Sequence, residues 1–272
     1  MFSPRNPLDL SLNPLIGMVH LPPLVKSFDA SYSFEDIVEF SFQDAITLEK
    51  AGYDAIIIEN FHGTPYPKYQ VDDQILLLMS FVVNKIISEI NIPCGINILR
   101  NACTQALTMA TVTSASFIRC NVWEGAYITD QGIIEAVAAE VLKQREVIQS
   151  QVKILADIHV KHASPLGDFS ATEAATNALN RGGADAIIVS GRETGKIIDP
   201  TKLQEFVKIT DIKPILGSGL TSENLSKVFP FISGAIVGTS IKVAEINTPI
   251  DPEKASTLAK AWKTEKEKIL KE

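Results

Sequence analysis

Ala51-Gly52-Tyr53-Asp54-Ala55-Ile56-Ile57-Ile58-Glu59-Asn60 contains the unit from which the fold is built. A glycine stops a helix, an aspartate follows, and a short β-branched run then closes on polar residues. The same design returns at Gly182-Gly183-Ala184-Asp185-Ala186, ahead of the run Ala186–Ser190. Six further apolar runs match these two: Leu15–His20, Cys94–Leu99, Ser116–Asn121, Val152–His159, Lys213–Gly217 and Gly234–Gly238. Each is followed by a loop and a stretch of helical character, the pattern of parallel strands joined by crossovers. Eight such units in 272 residues predict a single-domain α/β protein, a (β/α)8 or TIM barrel. The barrel is expected over about residues 15–242, with a closing helix over about 251–270. Chemistry on this fold gathers at the C-terminal ends of the strands.

Composition narrows the function. Hydrophobic residues make up 46% and charged residues 21%, ordinary for a globular chain. A net charge of −7 argues against a nucleic-acid partner, which normally needs a basic surface. Three cysteines, Cys94, Cys103 and Cys120, form no C-x-x-C pair and read as buried free thiols. The first fourteen residues lack the apolar core of a secretion signal. The most apolar stretch, Ile75 to Val83, is about half the length of a membrane span. It reads as a helix buried against the barrel or a neighbouring subunit. A cytoplasmic protein with no membrane insertion, able to form a homo-oligomer, is therefore expected.

Helix starts are marked. Ser33-x-x-Asp36 and Ser170-x-x-Glu173 resemble capping boxes, and Asp199-Pro200 and Asp251-Pro252 place a capping acid before a first-turn proline. Asp130 is expected to open the longest helix, with Ile133, Val137 and Val141 on one face. The loop Phe61–Asp72, with Pro65 and Pro67, is long enough to cover the barrel mouth.

Three constellations carry chemistry. Strand seven ends in Gly217-Ser218-Gly219, with Thr221 or Ser222 expected to cap the next helix, and strand eight ends in Gly238-Thr239-Ser240. Small residues let backbone N–H groups approach an anion closely, and these two loops often bind phosphate in this fold. Tight turns without a ligand are the simpler alternative.

The second constellation is Asp157-Ile158-His159-Val160-Lys161-His162. Asp157 and His159 share one face of a strand and together suit acid–base work. Lys161 suits an electrostatic clamp or, if desolvated, an amine nucleophile. His159-x-x-His162 with Glu59 or His20 has no recognised metal-ligand spacing, so no metal or other cofactor is expected.

The third is a ring of polar strand ends: His20, Glu59, Asn60, Asn97, Arg100, Asn101, Arg119, Asn121, Ser190 and Gly191. A charge within a buried strand is costly unless paired. Arg119 therefore needs a partner, either Glu59, Asp157 or a substrate anion.

These residues also resemble those of the BtpA family. The matching blocks include Ile16-Gly-Met-Val-His-Leu21, Glu59-Asn-Phe61, Gly95-Ile-Asn-Ile-Leu-Arg-Asn101 and Phe117-Ile-Arg-Cys-Asn121. They continue through Thr129-Asp-Gln-Gly132, Ala156-Asp-Ile-His-Val-Lys-His-Ala163, Ile188-Val-Ser-Gly191, Gly217-Ser-Gly219 and Val237-Gly-Thr-Ser240. The resemblance implies a barrel of the ribulose-phosphate-binding type. Ala102, where the family pattern has Asp, and Trp123-Glu124, where it has His-Thr, depart from that pattern. Both departures are expected to line the mouth.

The leading expectation is an enzyme acting on a small phosphorylated metabolite by isomerase or lyase chemistry. Asp157, Glu59 and His159 are its acid–base candidates, with Arg119 and Lys161 stabilising negative charge. A Schiff-base aldolase using Lys161 and a non-catalytic assembly or stability factor for another protein are the alternatives. A dense set of titratable groups favours an enzyme.

Overall fold

Side chains along each strand sort alternately into two separate cores. Ile16, Met18, Ala55, Ile57, Phe117, Leu155, Ile188, Ile215 and Ile236 fill the interior of a closed barrel. Their neighbours Leu15, Val19, Ile56, Ile58, Ile96, Ile118, Ile154 and Ile187 face outward into a larger core beneath the helices. This is period-two alternation, with both faces of a parallel sheet covered. The structure is a computed structural model describing residues 3–24, 32–158, 163–168, 170–191 and 199–269.

The barrel strands are β1 (Leu15–His20), β2 (Ala55–Glu59), β3 (Cys94–Asn97), β4 (Phe117–Cys120), β5 (Lys153–Ile158), β6 (Ala186–Val189), β7 (Ile215–Leu216) and β8 (Gly234–Val237). They follow one another around the ring in chain order, all parallel, and β8 closes on β1 with Leu15 opposite Ala235. The helices are α1 (Phe34–Ala51), α2 (Asp73–Glu89), α3 (Cys103–Thr113), α4 (Ala138–Val147), α5 (Ala171–Asn180), α6 (Pro200–Thr210), α7 (Leu225–Val228) and α8 (Pro252–Ile269).

The repeated glycine–aspartate design has a physical purpose. Asp54, ahead of β2, accepts from the backbone N–H of Leu15 at 2.8 Å and donates its own N–H to the Leu15 carbonyl at 3.0 Å. Asp185, ahead of β6, makes the same pair of bonds to Ile154 at 2.8 and 2.9 Å. Each aspartate thus registers its strand against the preceding one, at equivalent places in the two halves of the barrel. Gly52 takes a left-handed conformation to end α1.

Both capping boxes form at α1 and α5, and Asp199 and Asp251 cap the first turns of α6 and α8. The three cysteines are buried and free. Helix α2 buries Met79, Val82, Val83 and Ile86 but leaves Leu77 and Phe81 exposed. No described helix is long and apolar enough to cross a membrane.

Two expectations are corrected. Asp130 does not open a helix. It sits in the turn of a hairpin whose strands, Ala126–Thr129 and Gly132–Glu135, join Ala163–Pro165 in a small antiparallel sheet. Tyr127 and Ile134 are buried in that sheet while their neighbours Ile128 and Ile133 are exposed, so the true period is two. Gly132, with φ +90°, supplies the turn, and helix α4 begins only at Ala138. The longest described helices are instead α1 and α8, at 18 residues each. Neither Thr221 nor Ser222 caps a helix by its side chain. Asn224 organises that turn, its Oδ1 accepting from Thr221 N–H and its Nδ2 donating to the Gly219 carbonyl.

Candidate functional site

Inward-facing positions turn polar where the strands reach their C-terminal ends. On β1 the series Ile16, Met18 ends in His20, and on β2 Ala55, Ile57 ends in Glu59. On β4 Phe117 is followed by Arg119 and then Asn121, and on β5 Leu155 is followed by Asp157. These polar residues open onto one cavity of about 510 Å³ at the mouth. One wall carries His20, Glu59, Arg100, Arg119, Asn121 and Asp157. The turns Gly217–Thr221 and Gly238–Ser240 complete the rim, beside His20 on β1 and across from Arg119 and Asn121 on β4.

Arg119 finds its partner in Asp157. Its Nε and Nη2 each donate to one carboxylate oxygen at 3.0 Å, and Asn121 Nδ2 donates to Asp157 Oδ2 at 2.7 Å. Burial acts against the Arg119 charge, but the Asp157 carboxylate and the Glu59 charge overcome it and raise the guanidinium above its usual value. Arg100 shows the other balance. Burial lowers its pKa despite the nearby carboxylates of Asp157, Asp130 and Glu59. Its backbone N–H donates to Pro67 in the covering loop at 3.0 Å.

Glu59 is held between two strands. Asn97 Nδ2 donates to its Oε1 at 2.6 Å, and His20 Nε2 lies 3.8 Å from Oε2. The His20 ring meets Phe61 edge-on at 5.0 Å. A carboxylate, an imidazole and two guanidinium groups around one cavity can exchange protons and stabilise negative charge on a ligand.

In the glycine turns, Ser240 Oγ donates to the Leu220 carbonyl at 2.8 Å and ties the two together. Gly219 adopts a left-handed φ of +81°. The backbone N–H groups of Ser218, Gly219, Thr239 and Ser240 have no acceptor among the described residues. Such a concavity of unpaired N–H groups is suited to an anion. Gly217 and Gly238 are also small for packing reasons. A Cβ on Gly217 would lie 2.4 Å from Ser190 Oγ, and one on Gly238 would lie 2.8 Å from His20 Cε1.

Several sequence candidates sit elsewhere. Asn97, Ser190 and Gly191 do not line the cavity; Asn97 acts through Glu59, and Ser190 packs against Gly217. Asn60 and Asn101 brace backbone, Asn60 at Leu99 and Asn101 at Val122. The two departures from the family pattern do not reach the mouth, contrary to expectation. Ala102 is buried at the start of α3, Trp123 is buried against Gly182, and Glu124 accepts from Tyr127 at 3.3 Å. His159, Lys161 and His162 lie outside the described residues. Among the described residues no three His, Cys, Asp or Glu side chains gather to hold a metal.

The cavity also includes Met18, Phe61, Thr64 and Tyr66, which strand-end polarity does not single out. The prolines at Pro65 and Pro67 were the signal for the last three, since they mark the loop that covers the mouth. Tyr66 donates to the Phe61 carbonyl within that loop.

A closed parallel barrel with its cavity at the C-terminal mouth places the protein among (β/α)8 barrels. The chain belongs to the BtpA family, whose model matches residues 11–264. A Thermococcus kodakarensis protein of uncharacterized function is 42% identical over 235 residues, covering 86% of this chain and 89% of its own. The photosystem I biogenesis protein BtpA of Synechocystis is 40% identical over 254 residues, covering 92% and 88%. Among solved structures, phosphoribosyl anthranilate isomerase from Thermus thermophilus superposes with a TM-score of 0.56 at 11% identity, covering 92% of this chain and 98% of that one. Thiamine phosphate pyrophosphorylase from Pyrococcus furiosus gives a TM-score of 0.56 at 12% identity, covering 94% and 98%. These likenesses show the barrel fold.

Proposed function

We propose that the protein is an enzyme that transforms a small phosphorylated metabolite by acid–base isomerase or lyase chemistry. The observation that carries this reading is the single cavity in which the two N–H-rich turns face Glu59, His20, Arg100 and Arg119. The turns hold the phosphate through backbone N–H groups. Glu59, braced by Asn97 and His20, moves a proton on the substrate. Arg100 and Arg119 stabilise negative charge that develops on a substrate oxygen.

Asp157 takes a different part from the one its position in the sequence suggests. Its carboxylate is engaged by Arg119 and Asn121, so it holds the guanidinium in place and is a positioning residue. His159 and Lys161 follow it in the chain and remain candidates for the acid–base set. No lysine among the described residues lines the cavity, so Schiff-base chemistry would rest on Lys161.

A second reading is a factor that assists assembly of another protein. It is favoured by the name of the Synechocystis relative and by exposed Ile128, Ile133 and Leu166 on the small sheet. Thermal shift with phosphorylated metabolites and their dephosphorylated counterparts separates the two. A ligand that binds only the folded state raises the melting temperature. A rise with phosphorylated compounds alone is expected, and a panel with no active member would overturn the enzyme reading.

A further inference from the structure

We infer that Asn121 Oδ1 reads a hydrogen-bond donor, a hydroxyl or an N–H, at the end of the ligand remote from its phosphate. This deepens the phosphate reading of the site and rests on it. The Asp157 carboxylate only accepts, so the amide atom facing it at 2.7 Å is the Nδ2 donor. Arg119 grips both oxygens of Asp157, which fixes the carboxylate and therefore the amide. Oδ1 is left as an acceptor. It is buried with no hydrogen-bond partner among the described residues, although Asn121 lines the cavity. Buried polar atoms in folded proteins are nearly always paired, so an orphan at a cavity wall points to a missing partner.

The position of this acceptor defines the ligand's shape. In the ring of eight strands β4 stands opposite β8, so Asn121 faces the phosphate turns across the mouth. On the phosphate side Ser218 Oγ is likewise buried without a partner among the described residues, and its hydroxyl can donate to a phosphate oxygen. Glu59 on β2 contributes a carboxylate to the same cavity. The complement is a phosphate ester whose far end is hydroxylated or aminated.

The test uses inorganic phosphate, ribitol 5-phosphate and pentyl phosphate, which share the phosphate and, for the two esters, the chain length. Binding to the full chain and to Asn121→Leu is measured by calorimetry. Ribitol 5-phosphate is expected to bind about tenfold tighter than pentyl phosphate, and Asn121→Leu to shrink that preference at least threefold, roughly the effect of one hydrogen bond. Inorganic phosphate should bind both proteins equally. An unchanged preference in Asn121→Leu would overturn the role of Asn121 and leave the phosphate reading intact. Failure of all three probes to bind would overturn the phosphate reading and this inference with it. Should Asn121→Leu not fold, a structure of the unaltered protein with ribitol 5-phosphate decides. A hydroxyl within hydrogen-bond distance of Oδ1 supports the inference, and none there overturns it.

Discussion

Arg119 on β4 and Asp157 on β5 meet in a two-pronged ion pair, with both N···O distances at 3.0 Å and both side chains buried. Such a pair need not stabilise the fold relative to apolar residues, but breaking it leaves a charge stranded. Asp157→Asn is therefore expected to destabilise the protein by about 3 kcal/mol, measured by urea unfolding. Replacing both partners, as in Arg119→Met with Asp157→Leu, should restore much of that loss. A loss below about 1 kcal/mol in the single variant would show that the pair is solvated and does not hold Arg119.

Glu59 carries the proton-transfer role in the proposed reaction. Glu59→Gln keeps the shape and the neighbours Asn97 and His20 but removes basicity. Once a substrate is found, kcat should fall by about 100-fold or more while ligand affinity changes little. Equal loss of affinity and turnover would make Glu59 a binding group.

Thr239 stands in the turn after β8, on the wall assigned to phosphate. Thr239→Glu places a carboxylate beside the N–H groups of that turn and should compete with an anionic ligand. Binding of phosphorylated compounds is expected to weaken more than tenfold, roughly the effect of a like charge or one lost charge-assisted bond. The melting temperature without ligand should hardly move. Unchanged affinity would place the anion elsewhere.

Glu124 offers a test in pH. Burial raises its carboxyl pKa above the ordinary 4.5, an effect the hydrogen bond from Tyr127 only partly offsets. The folded state then holds its proton more tightly than the unfolded chain, so this stabilisation is complete below pH about 4.5 and is lost as pH rises through the folded pKa. Glu124→Gln removes the dependence. The melting temperature of the variant relative to the unaltered protein should be higher at pH 7 than at pH 4, and an identical difference at both would refute the assignment.

The eight strands were legible because each is a local signal: a short β-branched run, a glycine or capping residue, and a polar end. The same holds for Ser33, Ser170 and Asp199, whose hydrogen bonds reach only two or three residues along the chain. The stretch from Asp130 reads as a helix because Ile133, Val137 and Val141 fall at helical spacing, whereas residues 126–135 form a hairpin. Its alternation of buried Tyr127 and Ile134 with exposed Ile128 and Ile133 depends on a strand from beyond β5.

The sequence by itself determined the barrel and placed His20, Glu59, Arg100, Arg119, Asn121 and Asp157 at its mouth, because period-two alternation and strand ends are properties of neighbouring residues. It left Arg119 with three possible partners, and only the tertiary structure chose Asp157 on the adjacent strand. It gave no hint of the buried pair between Lys242 and Asp44, 2.6 Å apart in space and 198 residues apart in the chain. Nor could it keep Trp123 and Glu124 out of the cavity, since their directions depend on what packs around them. Side-chain pairing and facing at a site are decided by contacts between distant segments, and those exist only once the ring of strands has closed.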